Sequence, residues 1–411
     1  MKSKAQPRVL RRKYLIAAIG SAFIAPLAQA ASPGSPLGPT VDLNSSLAGN
    51  QTTPAIARNA SGAIVVAWQG VSGNSTEIIA QRLGASGIPQ GSAFIANQNV
   101  AGDPAAPAVA MDADGDFVLA WADGGAAHPG IYARRFAANG TARGDELLVA
   151  AGSSSLSAPS VAMDADGDFV VAWTQGRDAF VGVCSGYSSL CVDISGSSVR
   201  AQRYHADGTA AGRVLTVDTA LGVATASFAI GSVDYEPSVV MGTDGSFVVT
   251  WLRYGDGLLS GIWDRRYSAR DLPGLPYPVD LGHWKDSIAA AGSGNGETVV
   301  AYNASSGFYA HSYSASGIAE GAAQRADENS KGAGRPAVGM DAAGDFVVIW
   351  DDLSGAVGQR FARGGGKLGG NFALSTYCCV RNPAVAADAR GNFAAAWEEA
   401  GHIKLRLYMG P

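Results

Sequence analysis

Acids, bases and aromatic groups that could act together lie in four short stretches of this sequence. Asp234-Tyr235-Glu236 sets two carboxyl groups two residues apart, and Arg253-Tyr254-Gly255-Asp256 adds a guanidinium, a phenol and a third acid. The run from Pro273 ends on His283-Trp284, and Glu398-Glu399 is followed by His402. Paired carboxylates such as Asp234 with Glu236, or Glu398 with Glu399, suit acid and base roles in glycoside hydrolysis. His283, Tyr254 and Arg253 are the types that take a proton, return one and clamp a carboxylate, as β-elimination on a uronate sugar requires. The candidate ligand contacts are therefore Asp234, Tyr235, Glu236, Arg253, Tyr254, His283, Trp284 and His402. There is no G-x-S-x-G elbow, phosphate loop or HExxH, so serine hydrolase, nucleotide and zinc-protease chemistries lose their usual signatures.

Two further groups invite chemistry and favour plainer readings. The DADGD runs, Asp112/Asp114/Asp116 and Asp164/Asp166/Asp168, resemble calcium loops, but an EF-type loop needs its glycine after the third acid and a distant glutamate. Equivalent segments read NASGA, GTDGS and DARGN, so the shared feature is a glycine-centred turn and no cofactor is expected. An arginine recurs at Arg82, Arg135, Arg203, Arg266 and Arg360, for which a strand-to-strand ion pair with the nearby Asp116, Asp168 or Asp345 is the expectation. The cysteines are Cys184, Cys191, Cys378 and Cys379, read as disulfides; Cys184 with Cys191 is the simplest pair, although four cysteines allow three connectivities.

The elements that must position these residues come from a repeat. Seven copies end on an aromatic at Trp68, Trp121, Trp173, Trp251, Tyr302, Trp350 and Trp397, spaced by 53, 52, 78, 51, 48 and 47 residues, as in PAVAMDADGDFVLAW. A period near fifty indicates a propeller, solenoid or array. Each copy parses as a small apolar strand, an Asp/Gly turn, a β-rich strand such as Phe117 to Trp121, a third strand such as Ile131 to Phe136, and a fourth such as Glu146 to Val149. Four antiparallel strands per copy make one propeller blade. The last copy stops after its third strand, while the segment from Pro39 to Asn44 reads like the end of a repeat. The expected fold is all-β, a seven-bladed β-propeller closed by that N-terminal strand, which hides sheet edges.

Composition agrees with such a fold. Glycine reaches 54 of 411 residues without a Gly-X-Y period, charged residues are 16% and apolar ones 47%, which together exclude collagen, coiled coil and disordered chains. Residues 1–30 carry six basic groups and no acid, then an apolar run and Ala28-Gln29-Ala30, which predicts a signal peptide and a single domain over 31–411. Arg11-Arg12 leaves a twin-arginine route open beside an ordinary one. Without that segment the net charge moves from −5 to −11 (24 basic against 35 acidic), unsuited to nucleic acid. No membrane insertion is expected after cleavage, and the location implied is periplasmic, extracellular or cell-surface.

The pattern P-[AS]-V-A-x-x-x-x-G-x-F-V-V-x-W followed by I-x-A-Q-R-[FY] resembles repeats of large secreted or surface bacterial proteins, over about 370 residues. The resemblance implies the propeller fold and leaves activity open. The turns partly resemble the Asp-box of sialidase propellers, yet lack its leading serine, so no sialidase chemistry is carried over. Departures from the repeat concentrate in Thr174 to Ser198, Asp218 to Glu236, Arg253 to Asp256 and Pro273 to Trp284, on the face where binding loops would lie. The function expected is non-enzymatic recognition of a glycan, peptide or envelope protein by the loops of blades three to five. The alternative is a uronate lyase or glycoside hydrolase on the same face.

Overall fold

The computed structural model describes residues 33–410 apart from positions 46, 48, 73–74, 100, 126, 153–155, 177–182, 185–190, 193–196, 220–222, 226–227, 231–232, 255–259, 282–284, 329–333 and 353–354. The predicted signal peptide lies outside the described residues. From Ser32 onward the chain is one compact unit, and the described residues contain strands and no helix.

Seven four-stranded antiparallel sheets follow one another in sequence order. Blade 2 shows the pattern: Pro104–Met111 innermost, then Phe117–Asp123, Gly130–Phe136 and Leu147–Ala151 outward. Blade 7 takes three strands from the C-terminus and its outer one from the N-terminus, Val41–Asp42, which pairs with Leu405 and Lys404. The Pro36 bridge to Tyr408 and the Leu43 N–H to the Ile403 carbonyl extend that pairing. Closure by a strand from the far end of the chain is as the sequence implied. It is locked by Arg58, buried with Asp388 of blade 7 at 2.9 Å, where four other blades carry Met111, Met163, Met241 and Met340.

Blade packing follows from alternation in the two middle strands. Trp68, Trp121, Trp173, Trp251, Trp350 and Trp397 are each at most 1% exposed, so they are core. At the other end of each middle pair, aromatics stack across strands: Phe117 on Phe136 at 5.1 Å, Phe247 on Tyr267 at 4.6 Å, Phe393 on Tyr408 at 4.8 Å. One substitution breaks the pattern. Asp264 of blade 4 is buried where the other blades place Ala80, Ala133, Ala201, Ala310, Gly358 and Leu405, and burial pushes its carboxyl up to about 6 despite Arg266 at 3.8 Å.

The acidic turns are self-contained. Asp112, Asp164, Asp341 and Asp388 each accept the backbone N–H four residues on through Oδ1, while Gly115, Gly167, Gly344 and Gly391 take positive φ. Asp116, Asp168 and Asp345 accept N–H groups from their own blade's next turn. The recurring arginines correct the expectation of an ion pair within each blade. Arg82 reaches the Ala138 carbonyl of blade 2, Arg135 the Ala206 carbonyl of blade 3, and Arg203 both Asp271 and the Gly245 carbonyl of blade 4. The reason is geometric: the fork of a late third-strand arginine spans to the neighbouring turn, while Asp116 takes a backbone donor on one oxygen and Arg143 of its own blade on the other. These residues staple blades together.

Candidate functional site: the mouth of the central well

The seven innermost strands surround a cavity of about 430 Å³. Its wall is small and apolar, with Ala55, Ala108, Val161, Val239, Ala289 and Val385 among its residues. Polar groups gather at one end, where the inner strands begin and where the loops after second and fourth strands emerge: Thr53, Glu236, Ser287, Arg335 and Asn382.

A repeated bulge supplies these side chains. In four blades the residue before the strand's proline has a left-handed backbone: Thr53 (φ 50°), Ala106 (50°), Glu236 (50°) and Asn382 (49°). Each lies where pairing with the second strand slips, as between Tyr235 and Ser238 or Arg381 and Ala384. Bulges re-aim side chains and suit sites, and a non-glycine residue held at such φ costs on the order of 1–3 kcal/mol. Here the bulge directs Glu236 into the well.

Glu236 is the most chemically distinctive group of the mouth. Its side chain is 22% exposed, Arg335 Nη2 stands 3.4 Å from Oε1, and the Ser287 hydroxyl donates to it. Burial raises its pKa above the ordinary glutamate range, nearby Asp286 adds to the rise, and Arg335 and Ser287 offset only part of it. Arg335 is held at its backbone, whose N–H donates to Asp351 Oδ1 at 2.7 Å, and its side chain is 62% exposed. Asn382 Nδ2 donates to Glu398 Oε2 at 3.2 Å. The mouth thus presents a half-buried acid of raised pKa, a cation and neutral donors beside an apolar wall.

The other sequence candidates separate. Tyr235 packs in the core between blades 4 and 5 with Leu252 and Ile262. Arg253 pairs with Asp218 and lies over the Trp263 ring at 4.4 Å, so it is no open clamp. His402 faces Asp42 of the closing strand, which also binds Lys404 at 2.8 Å. Asp234 and Tyr254 lie on paired strands, opposite Arg253 and Val233, and their side chains lie outside the described residues, as do His283 and Trp284. Glu399 accepts from Ser375 Oγ at 2.7 Å and Trp397 Nε1 at 2.9 Å, which makes it a brace. Of the Pro273 to Trp284 run, Pro273 bridges Tyr267 at the turn on the opposite face and Tyr277–Leu281 is the outer strand of blade 4, because the strand alternation of YPVDL completes the sheet. Arg335, Ser287 and Asn382 were missed; aligning the residue before each inner-strand proline brings out Thr53, Glu236, Arg335 and Asn382 together.

The cysteines divide in the same way. Strands Val183–Cys184 and Cys191–Val192 form a hairpin that sets Cys184 opposite Cys191 along the backbone. Cys378 and Cys379 are exposed and carry free thiols whose sulfurs stand 3.6 Å apart.

No protein-family profile matches the chain, and no curated protein matches it. Among solved structures it is similar to an ulvan lyase of polysaccharide lyase family PL25 bound to -[GlcA(1-4)Rha3S]-, at 11% identity over 90% of this chain and 96% of that one, TM-score 0.55. A protein of unknown function from Dyadobacter fermentans matches at 10% identity over 90% and 98%, TM-score 0.52. At such identities the likeness establishes the propeller fold and nothing finer.

Proposed function

We propose that this protein engages a saccharide at the mouth of its central well and acts on it, with Glu236 as proton donor. The observation that carries this reading is Glu236 itself: a carboxyl held largely out of water, raised in pKa, aimed into a cavity and flanked by Arg335 and Ser287. A raised glutamate suits general-acid protonation of a leaving oxygen, and Arg335 suits a carboxylate or sulfate substituent of the sugar. The similarity to a chain crystallised with a uronate-containing glycan supports the substrate class. Purified protein incubated with uronate-rich, sulfated and neutral polysaccharides should release reducing ends or unsaturated product from at least one, and Glu236→Gln should remove that activity. Absence of both turnover and binding across the panel would sink the reading.

Recognition without turnover is a second reading with its own support. Asp123, Asp351, Glu398 and Glu399 are all hydrogen-bond acceptors within the fold, so none of these four stands open as a partner acid, and Asp286 near Glu236 lies exposed to solvent rather than in the well. Saturable binding with no product would decide for it.

A further inference from the structure

We infer that Cys378 and Cys379 form a reversible dithiol/disulfide site on the blade 6 to blade 7 crossing, beside the mouth of the well. Three observations converge on it. The two sulfurs, 3.6 Å apart and exposed, need to approach by only about 1.5 Å to reach bonding distance. The segment that carries them is fixed at both ends: Ser375 Oγ is tied to Glu399 before the pair, and Val380 is 3% exposed in the core shared by blades 6 and 7 just after it. Between those anchors Cys379 adopts φ +78°, so the pair sits on a kinked, solvent-facing apex. The remaining cysteines face one another across their own hairpin, which leaves this pair to itself.

The step is thiol–disulfide exchange. One thiolate attacks an oxidising disulfide, releasing its first thiol and forming a mixed disulfide; the neighbouring thiol then displaces the second thiol. Both Sγ–H bonds are lost, one Sγ–Sγ bond forms, and the two electrons and two protons end on the reduced partner. Asn382, three residues further on, lines the mouth and donates to Glu398, so closure acts on the path by which the chain enters the site.

The full chain equilibrated with oxidised glutathione, acid-quenched, alkylated and digested with trypsin tests this through the peptide from Leu368 to Arg381. The expected product is that peptide two hydrogens lighter than its dithiol form and resistant to alkylation, regaining two alkylation sites after reduction. Cys378→Ser should instead leave Cys379 as a stable glutathione mixed disulfide. Two glutathiones on the native peptide, two alkylated thiols before reduction, or a link to the peptides holding Cys184 or Cys191 would each overturn the inference.

Discussion

The two faces of the ring use the same residue types for opposite ends. On the turn face, charged groups are consumed by the fold: Asp112 and its equivalents cap their own turns, and Arg82, Arg135 and Arg203 cross to the next blade. On the loop face, Glu236 and Arg335 meet across two blades at a cavity, with a desolvated acid and an exposed cation. Repetition explains the contrast. A device repeated in three or four blades serves the scaffold that all blades share, whereas Glu236 and Arg335 each occur once.

Substitutions sharpen that division. The largest loss of stability should come from the turn-side closure: Arg58→Met restores the residue other blades carry, yet takes the cation from buried Asp388 and leaves it only its turn donors from Arg390 and Asn392, and should cost about 3 kcal/mol in urea unfolding. Asp264→Ala should move the other way. Its carboxyl titrates at about 6 in the fold against 3.8 unfolded, so the ionised form is penalised and stability falls as pH rises through that window. Replacing it should therefore add about 2 kcal/mol at pH 8, less than the full linkage because Arg266 loses a neighbour, and add nothing below about pH 4. Asp112→Ala, which removes one turn acceptor, should cost about 1 kcal/mol. Glu236→Gln and Arg335→Ala should change stability by less than about 0.5 kcal/mol, since Arg335 is mostly exposed and Glu236 gains from neutrality. A mouth variant that unfolds the protein, or an Arg58 variant that leaves stability untouched, would erase the distinction between the faces.

The fold was legible because its information is local and repeated. Each P-[AS]-V-A run, Asp/Gly turn and F-V-V-x-W strand states its own role, and seven statements at one period leave a propeller as the economical solution; Pro39 to Asn44 even identified its closing strand. Of the proposed site, the residues picked out by type and spacing included Glu236 alone. Arg253, Tyr235 and His402 stood out by type, but their partners, Asp218 with Trp263, the blade 4 to 5 core and Asp42, are distant in sequence or invisible to spacing. Arg335 escaped because the ring geometry, not the sequence, brings it beside a residue of blade 4 from a blade two further on. The arginine staples were misassigned for the same reason: Arg82 and Ala138 belong to different repeats.

Whether the polar mouth of the well is the working site is decided by comparing the native protein with Glu236→Gln on the glycan that the polysaccharide panel identifies, across pH. Turnover should decline as pH rises past a midpoint above the usual glutamate value of about 4.3, and Glu236→Gln should lose about 10²- to 10⁴-fold in kcat with unfolding stability and binding retained. Turnover unchanged by Glu236→Gln would contradict this, and would move the chemistry away from the well.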